Sequence, residues 1–142
     1  MKVSARNAFE GVVHSITSGS VNDEVTLKLP GGDELVAIVT HSSVKTLGLA
    51  VGKAAVALVK APWVLIGVPE TGLKFSARNQ LTGQVSSVST GGVNSEVGIT
   101  LPGGSVVHAV VTNDAVKELG LAIGKPAVAV IKASHVILAV KS

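Results

Sequence analysis

The chain has no cysteine and no tyrosine, and only one tryptophan and two phenylalanines in 142 residues. Without cysteine there is no disulfide framework and no thiolate metal site. With Phe9, Trp63 and Phe75 as its only aromatics, it lacks the row of rings on which single-strand nucleic-acid binders stack bases. Charge is also scarce. Charged residues make up 15%, and 12 basic against 9 acidic residues leave a net charge of +3 with no basic tract. A polyanionic partner is therefore not called for, and no nucleic acid is expected. No segment approaches the roughly 18 apolar residues of a membrane span. Met1 to Arg6 lacks the apolar stretch of a signal peptide. A soluble, cytoplasmic protein without a membrane partner is expected.

What the chain has is itself, twice. Ser4-Ala5-Arg6-Asn7 returns as Ser76-Ala77-Arg78-Asn79, an offset of 72 that holds without a gap to the end. Leu29-Pro30-Gly31-Gly32 matches Leu101-Pro102-Gly103-Gly104, and Leu47-Gly48-Leu49-Ala50 matches Leu119-Gly120-Leu121-Ala122. Roughly half of the aligned positions are identical, far above chance for an internal repeat. The repeat predicts two modules, 1–70 and 71–142, joined by the short linker Val68 to Leu73. Modules of about 70 residues bury thin cores and need support from a neighbour. With 46% apolar residues, oligomer interfaces are expected to absorb the excess.

Within each module, short β-branched runs are punctuated by Gly and Pro, which predicts an all-β fold with tight turns. Ala8 to Thr17 reads as a strand interrupted by Gly11. Asn22 to Leu29 is the clearest strand, with Val25, Leu27 and Leu29 facing one way and Glu24, Thr26 and Lys28 the other. Pro30 to Asp33 predicts a hairpin turn, and Glu34 to Thr40 the return strand. Ser42 to Gly48 predicts a short helix capped by a serine and closed by a glycine; Asn113-Asp114 supplies the cap in the second copy. Lys53 to Ala61 and Val64 to Val68 are further strands with apolar runs that barely alternate. Five strands with a helix between the third and fourth is the element order of an OB-like barrel, here in tandem.

Four repeated features carry candidate chemistry. Arg6 and Arg78 can present a guanidinium fork beside backbone N–H groups, or can form ordinary salt bridges. Lys60-Ala61 and Lys132-Ala133 close apolar strands, as anion ligands or as solvated strand ends. Thr40 with Ser42 and Ser43, answered by Thr112 with Asn113 and Asp114, offers groups for an anion or for capping. Gly19 to Asn22 and Gly91 to Asn94 are glycine-bearing turns with exposed donors. Together these are the inventory for a small oxyanion, supplied twice.

Enzyme readings fare poorly, and the chain is expected not to be one. His14, His41, His108 and His135 have no counterparts in the other copy, no metal spacing and no evident carboxylate partner. The repeated acids Glu24 and Glu96 stand alone on polar strand faces and make no acid/base pair. Phosphate-loop and nucleotide-binding fingerprints are absent, so no cofactor is expected.

Ser-Ala-Arg-Asn, then Gly-x-Val-Asn-x-Glu-Val, then Lys-x-Leu-Gly-Leu, then Val-x-Lys-Ala closely resembles the Mop, or molbindin, family of molybdate-binding domains. The resemblance covers nearly the whole chain as two copies. It resembles the tandem di-Mop proteins and the C-terminal half of molybdate-responsive transcriptional regulators. It implies OB-like barrels, storage or buffering of molybdate, tolerance of tungstate, and homotrimers of tandem chains with anions at interfaces between barrels. Carried over by position, the ligand set is Ser4, Ala5, Arg6, Thr40, Ser43, Lys60 and Ala61 in the first copy. In the second it is Ser76, Ala77, Arg78, Thr112, Lys132 and Ala133, with Ala115 where Ser43 stands. The family's threefold-axis sites would fall near Gly19, Val21 and Asn22 and near Gly91, Val93 and Asn94. The ligand is an intact oxyanion, so no residue coordinates the metal directly. The full regulators carry an N-terminal helix-turn-helix domain outside this sequence, so direct repression is not expected of it unless it is a fragment of a longer chain.

Overall fold

Ten strands and two α-helices follow one another in the order of the repeat. The structure, a computed structural model, describes residues 3–69 and 72–141. Glu70 and Thr71 of the expected linker, and with them the expected module boundary, lie outside the described residues. The first half runs β1 (Asn7–Ser18), β2 (Asn22–Lys28), β3 (Glu34–Thr40), α1 (His41–Leu47), β4 (Ala54–Val59) and β5 (Leu65–Gly67). The second runs β6 (Asn79–Thr90), β7 (Asn94–Thr100), β8 (Val106–Thr112), α2 (Asn113–Leu119), β9 (Pro126–Ile131) and β10 (Ile137–Ala139). These are the two OB-like five-stranded barrels with one short helix each that the element order predicts.

The alternation read in the second strand is what the fold uses. Val25 and Leu27 are fully buried and Leu29 nearly so, while Glu24 and Thr26 are only partly covered and Lys28 is exposed. β4 and β9 likewise turn one face fully inward, and part of their other face is covered by a neighbouring strand. Between β4 and β5, and again between β9 and β10, the chain makes a 3-10 turn, Ala61–Trp63 and Ala133–His135. The sequence reading had passed from strand to strand there.

The sheets are not built from one half each. One has the order β10-β4-β1-β2-β3, the other β5-β9-β6-β7-β8. Leu65 pairs with Val130, and Ile137 pairs with Leu58. Each half thus lends its fifth strand to the other's sheet, an exchange of identical elements like that of a domain-swapped dimer, here within one chain. The exchange crosses the expected boundary near residue 70 and fuses the two thin cores into one cluster. Val13, Leu27 and Leu35 share that cluster with Val85, Ile99 and Val107.

The hairpin turns also meet. Gly31 has φ +90°, and a Cβ there would run into the Gly103 carbonyl. Only glycine serves at a point where two turns touch by backbone. Asp33 accepts from the Gly103 N–H at 3.0 Å across the same contact.

The helix caps correct one reading. Thr40 and Thr112, not Ser42 or Asn113-Asp114, are the N-caps, each hydroxyl accepting from the N–H three residues on, at 3.1 Å. The serine lies two residues too late because β3 and β8 lead straight into the helices. Gly48 and Gly120 close the helices at φ +64°, as expected.

Candidate functional site

The head of each repeat is held against the other half. Asn7 and Asn79 are buried, 1% and 2% exposed, so their amides must be paired. Asn7 donates to the His108 carbonyl at 2.8 Å and accepts from the His108 N–H at 2.7 Å. Asn79 makes the same pair with Val36, both bonds at 2.8 Å. Val36 and His108 are equivalent positions on β3 and β8, which lie at the sheet edges. Each asparagine therefore pins the residues before it across the molecule.

The arginines follow. Arg6 donates from Nε to Glu96 at 2.9 Å and from Nη2 to the same oxygen, and Arg78 donates to Glu24 at 2.6 Å. The hydrogen bonds from Arg6 hold the Glu96 carboxyl below the usual carboxylate range against partial burial, and Glu96 raises the Arg6 guanidinium in return. The salt-bridge alternative for these arginines is what the structure contains. Glu24 and Glu96, read as solitary acids, are their partners.

This pairing regroups the candidate ligands. Within the first half, Arg6 and Lys60 lie where β1 begins, since Asn7 pairs with Val59. Thr40 faces Asn22, beyond the far end of that 12-residue strand. The set read as one copy's site is therefore split along β1. Across the halves the match is close. Arg6 reaches Glu96, two residues from Asn94, which faces Thr112. Arg78 reaches Glu24, two residues from Asn22, which faces Thr40. The 3-10 turn after Lys60 packs on β8, and that after Lys132 packs on β3. So Arg6 and the Lys60–Ala61 turn stand against β7 and β8 of the second half, the hairpin that leads to Thr112. Arg78 and the Lys132–Ala133 turn stand likewise against β2 and β3, the hairpin that leads to Thr40. The grouping by copy is corrected, because a sequence repeat cannot tell contact within a copy from contact between copies.

The charge is arranged unevenly. Among the described residues Lys60 and Lys132 enter no ion pair. Both are exposed, beside the buried Ala61 and Ala133. Ser43 Oγ lies 2.7 Å from Thr40 Oγ1, a two-hydroxyl pair that Ala115 denies to the Thr112 end. The Gly19–Asn22 and Gly91–Asn94 turns, with Val21 and Val93 at their tips, are exposed at the outer ends of the hairpins.

The histidines were read as lacking carboxylate partners, and the structure corrects this. His41 Nδ1 lies 2.8 Å from Asp23 Oδ2, His108 Nδ1 lies 3.3 Å from Glu96, and His14 Nε2 lies 3.9 Å from Glu34. Burial pushes the Asp23 carboxyl up, but the bonds from His41 and the Gly19 N–H, with the charges of His41 and Lys45, hold it below the usual range. Ser95 and Asn113 occupy the equivalent places as a neutral pair, Ser95 donating to Asn113 at 2.5 Å. No cluster of three or more metal-ligating side chains occurs among the described residues. No described helix is long and apolar enough to cross a membrane. A groove of about 970 Å³ runs beside Arg6, lined by Val3, Phe9, Leu58 and Ala139, but neither lysine reaches it. In the second half Phe75, the repeat equivalent of Val3, lies beside Gly67.

Comparison with known proteins bears on this geometry. The TOBE domain family matches the chain twice, over residues 3–66 and 76–138. The molybdenum transport protein ModE of Herbaspirillum seropedicae is 45% identical over 99% of this chain and 52% of its own length. The molybdenum-pterin-binding protein MopA of Rhodobacter capsulatus is 42% identical over 98% of this chain and 52% of its own. The chain thus spans about half the length of these curated relatives. A crystal structure of the cytoplasmic molybdate-binding protein ModG with molybdate bound superposes with a TM-score of 0.94. It is 53% identical and covers 99% of this chain and 100% of its own. The likeness to Mop proteins read from the residues is met by these relatives.

Proposed function

The chain belongs to the TOBE domain family, and we propose that it binds molybdate, and the equally charged tungstate, as a store or buffer of the oxyanion in the cytoplasm. The observation that supports this is that each half's arginine and lysine-bearing turn face the other half, with neither lysine in an ion pair among the described residues. Molybdate is a tetrahedral dianion at neutral pH and needs donors to its oxygens rather than bonds to its metal. In the first site Ser4, Ala5, Arg6, Lys60 and Ala61 act with Thr112. In the second Ser76, Ala77, Arg78, Lys132 and Ala133 act with Thr40 and Ser43. Because Glu96 and Glu24 already occupy the arginines, most of the charge compensation falls on the lysines, through charge-assisted hydrogen bonds. In this reading the chain holds an oxyanion without transforming it, and acts as a binding protein rather than an enzyme.

The chain acts as a homotrimer in this reading. Its support is that exposed apolar residues come in repeat-matched pairs. Val21 and Val93 are 70% and 74% exposed, Val51 and Ile123 68% and 73%, Leu65 and Ile137 64% and 53%. A surface kept apolar at equivalent places in both halves suits an interface used twice. The Gly19, Val21, Asn22 and Gly91, Val93, Asn94 turns would then gather around the trimer axis as further anion sites.

Calorimetric titration with molybdate, tungstate, sulfate and phosphate tests the function. Molybdate and tungstate should bind well above the other two; equal, weak binding of all four would defeat the reading. The longer ModE relatives favour one second reading, the ligand-sensing half of a molybdate-responsive regulator. A nucleic-acid-binding role would give a salt-sensitive gel shift with single-stranded DNA or RNA, which we expect to be absent.

A further inference from the structure

We propose that Trp63 is the positioning residue for Lys60, holding its ammonium ready for the anion, and that the Lys132 site has no such device. This rests on the reading of Lys60 as an anion ligand. The Lys60 Nζ stands 5.4 Å from the centre of the Trp63 ring. The backbone sets this up. Lys60 caps the 3-10 turn that ends at Trp63, and the Trp63 N–H donates to the Lys60 carbonyl at 3.0 Å. Residues three apart eclipse in a 3-10 turn, so the two side chains leave on the same side. Pro62 stiffens the turn between them. The indole face then attracts the ammonium through its quadrupole.

The second half repeats the backbone but not the ring. The His135 N–H donates to the Lys132 carbonyl at 2.9 Å, the same turn in the same place. Yet the imidazole leans away onto Trp63, with ring centres 5.2 Å apart at 41°. Among the described residues Lys60 alone sits over an aromatic ring. The His135 Nδ1 is buried there without a hydrogen-bond partner, so packing against the indole rather than a polar contact fixes its place. Trp63 therefore serves both turns, as a seat for Lys60 and as a wall for His135. A lysine already held near its working position loses less side-chain freedom on binding than one that swings freely. The two sites are thereby made unequal by one ring.

Trp63 is also the only tryptophan in the chain, and it is 39% exposed, so its emission belongs to this place alone. The test uses the full chain, with molybdate followed by emission and by calorimetry. Emission should change as molybdate saturates, and the change should vanish in Lys60→Met while the remaining site still binds. Trp63→Leu should weaken one class of site by about two- to fivefold, the size of an exposed cation–π contact. Trp63→Phe, which keeps a face, should recover most of that loss. In the Lys60→Met background Trp63→Leu should cost less than in the unaltered chain, leaving only what loss of the His135 contact costs, since a coupled pair fails additivity and a merely structural effect does not. Silent emission at saturation, or an undiminished Trp63→Leu effect without Lys60, would overturn the proposal while molybdate binding stands. Absence of binding in the unaltered chain would overturn both it and the function it rests on.

Discussion

Asn7 grips His108 by both backbone groups, with bonds of 2.8 and 2.7 Å between residues 101 apart in sequence. An asparagine side chain suits the task because its amide carries a donor and an acceptor at one end, like a peptide. His108 turns these groups outward from the sheet edge, where no strand meets them. Asn79 does the same for Val36. The Ser-Ala-Arg-Asn motif is thus partly an architectural clamp between the halves, and this positions the Ser-Ala-Arg segment at its far partner.

Removing that clamp should cost stability. Asn7→Ala leaves a buried N–H and C=O of β8 unpaired, at about 1–3 kcal/mol for each group left without a partner. Asn7→Asp keeps the acceptor but loses the donor and buries a charge, so it should not rescue. Urea unfolding of each variant measures this. A loss below about 0.5 kcal/mol in Asn7→Ala would mean that water takes over the bonds.

The barrels were legible because their signals are local. Alternation in β2, the Pro-Gly-Gly turns and the glycine-closed helices all act within a few residues. The strand exchange was not legible, since Leu65 and Ile137 are equivalent by repeat and fit either sheet. The same degeneracy hid the pairing of Arg6 with Glu96 and the split of Arg6 from Thr40. Asp23 and His41 escaped notice because they are 18 residues apart and the repeat answers them with Ser95 and Asn113. Which repeated residues face one another was a matter of topology.

Acid should weaken the fold in part through Asp23. The Asp23 carboxyl is held below its ordinary value in the folded chain. Its contribution is therefore present above the ordinary carboxylate pKa of about 4 and is lost as pH falls toward the folded value. The double change Asp23→Ser with His41→Asn copies the neutral pair of the second half. Urea unfolding between about pH 2.5 and 7 should show a shallower fall in that variant. Glu96 also titrates low and should leave a residual slope. An unchanged slope would remove Asp23 from the acid response.

Arg6 and Lys60 should separate into different duties. Lys60→Ala deprives the dianion of a charge that nothing else nearby replaces, and binding at that site should fall more than about tenfold. Arg6→Ala should cost less affinity, because its charge is already spent on Glu96, and should loosen the contact between halves. Paired calorimetry and thermal melts of the two variants check this. If Lys60→Ala leaves all affinities intact, that lysine is a solvated strand end.

Ser43 tests the cross-half grouping itself. Its hydroxyl stands beside Thr40, at the end of the β2–β3 hairpin that Arg78 reaches through Glu24, so under the proposed grouping it would act with Lys132. Ser43→Ala should remove one neutral hydrogen bond to the anion, about 0.5–1.5 kcal/mol. The helix should survive, since Thr40 still accepts from the backbone N–H of residue 43. The change also copies Ala115, so the two classes of site should then differ by the Trp63 seat of Lys60 alone. The grouping is decided by background. With Lys60→Ala already in place, Ser43→Ala should still weaken the remaining site. With Lys132→Ala in place, it should cost almost nothing, because the hydroxyl's own site is already lost. The opposite pattern in calorimetry would return Ser43 to the Lys60 site and overturn the grouping across the halves.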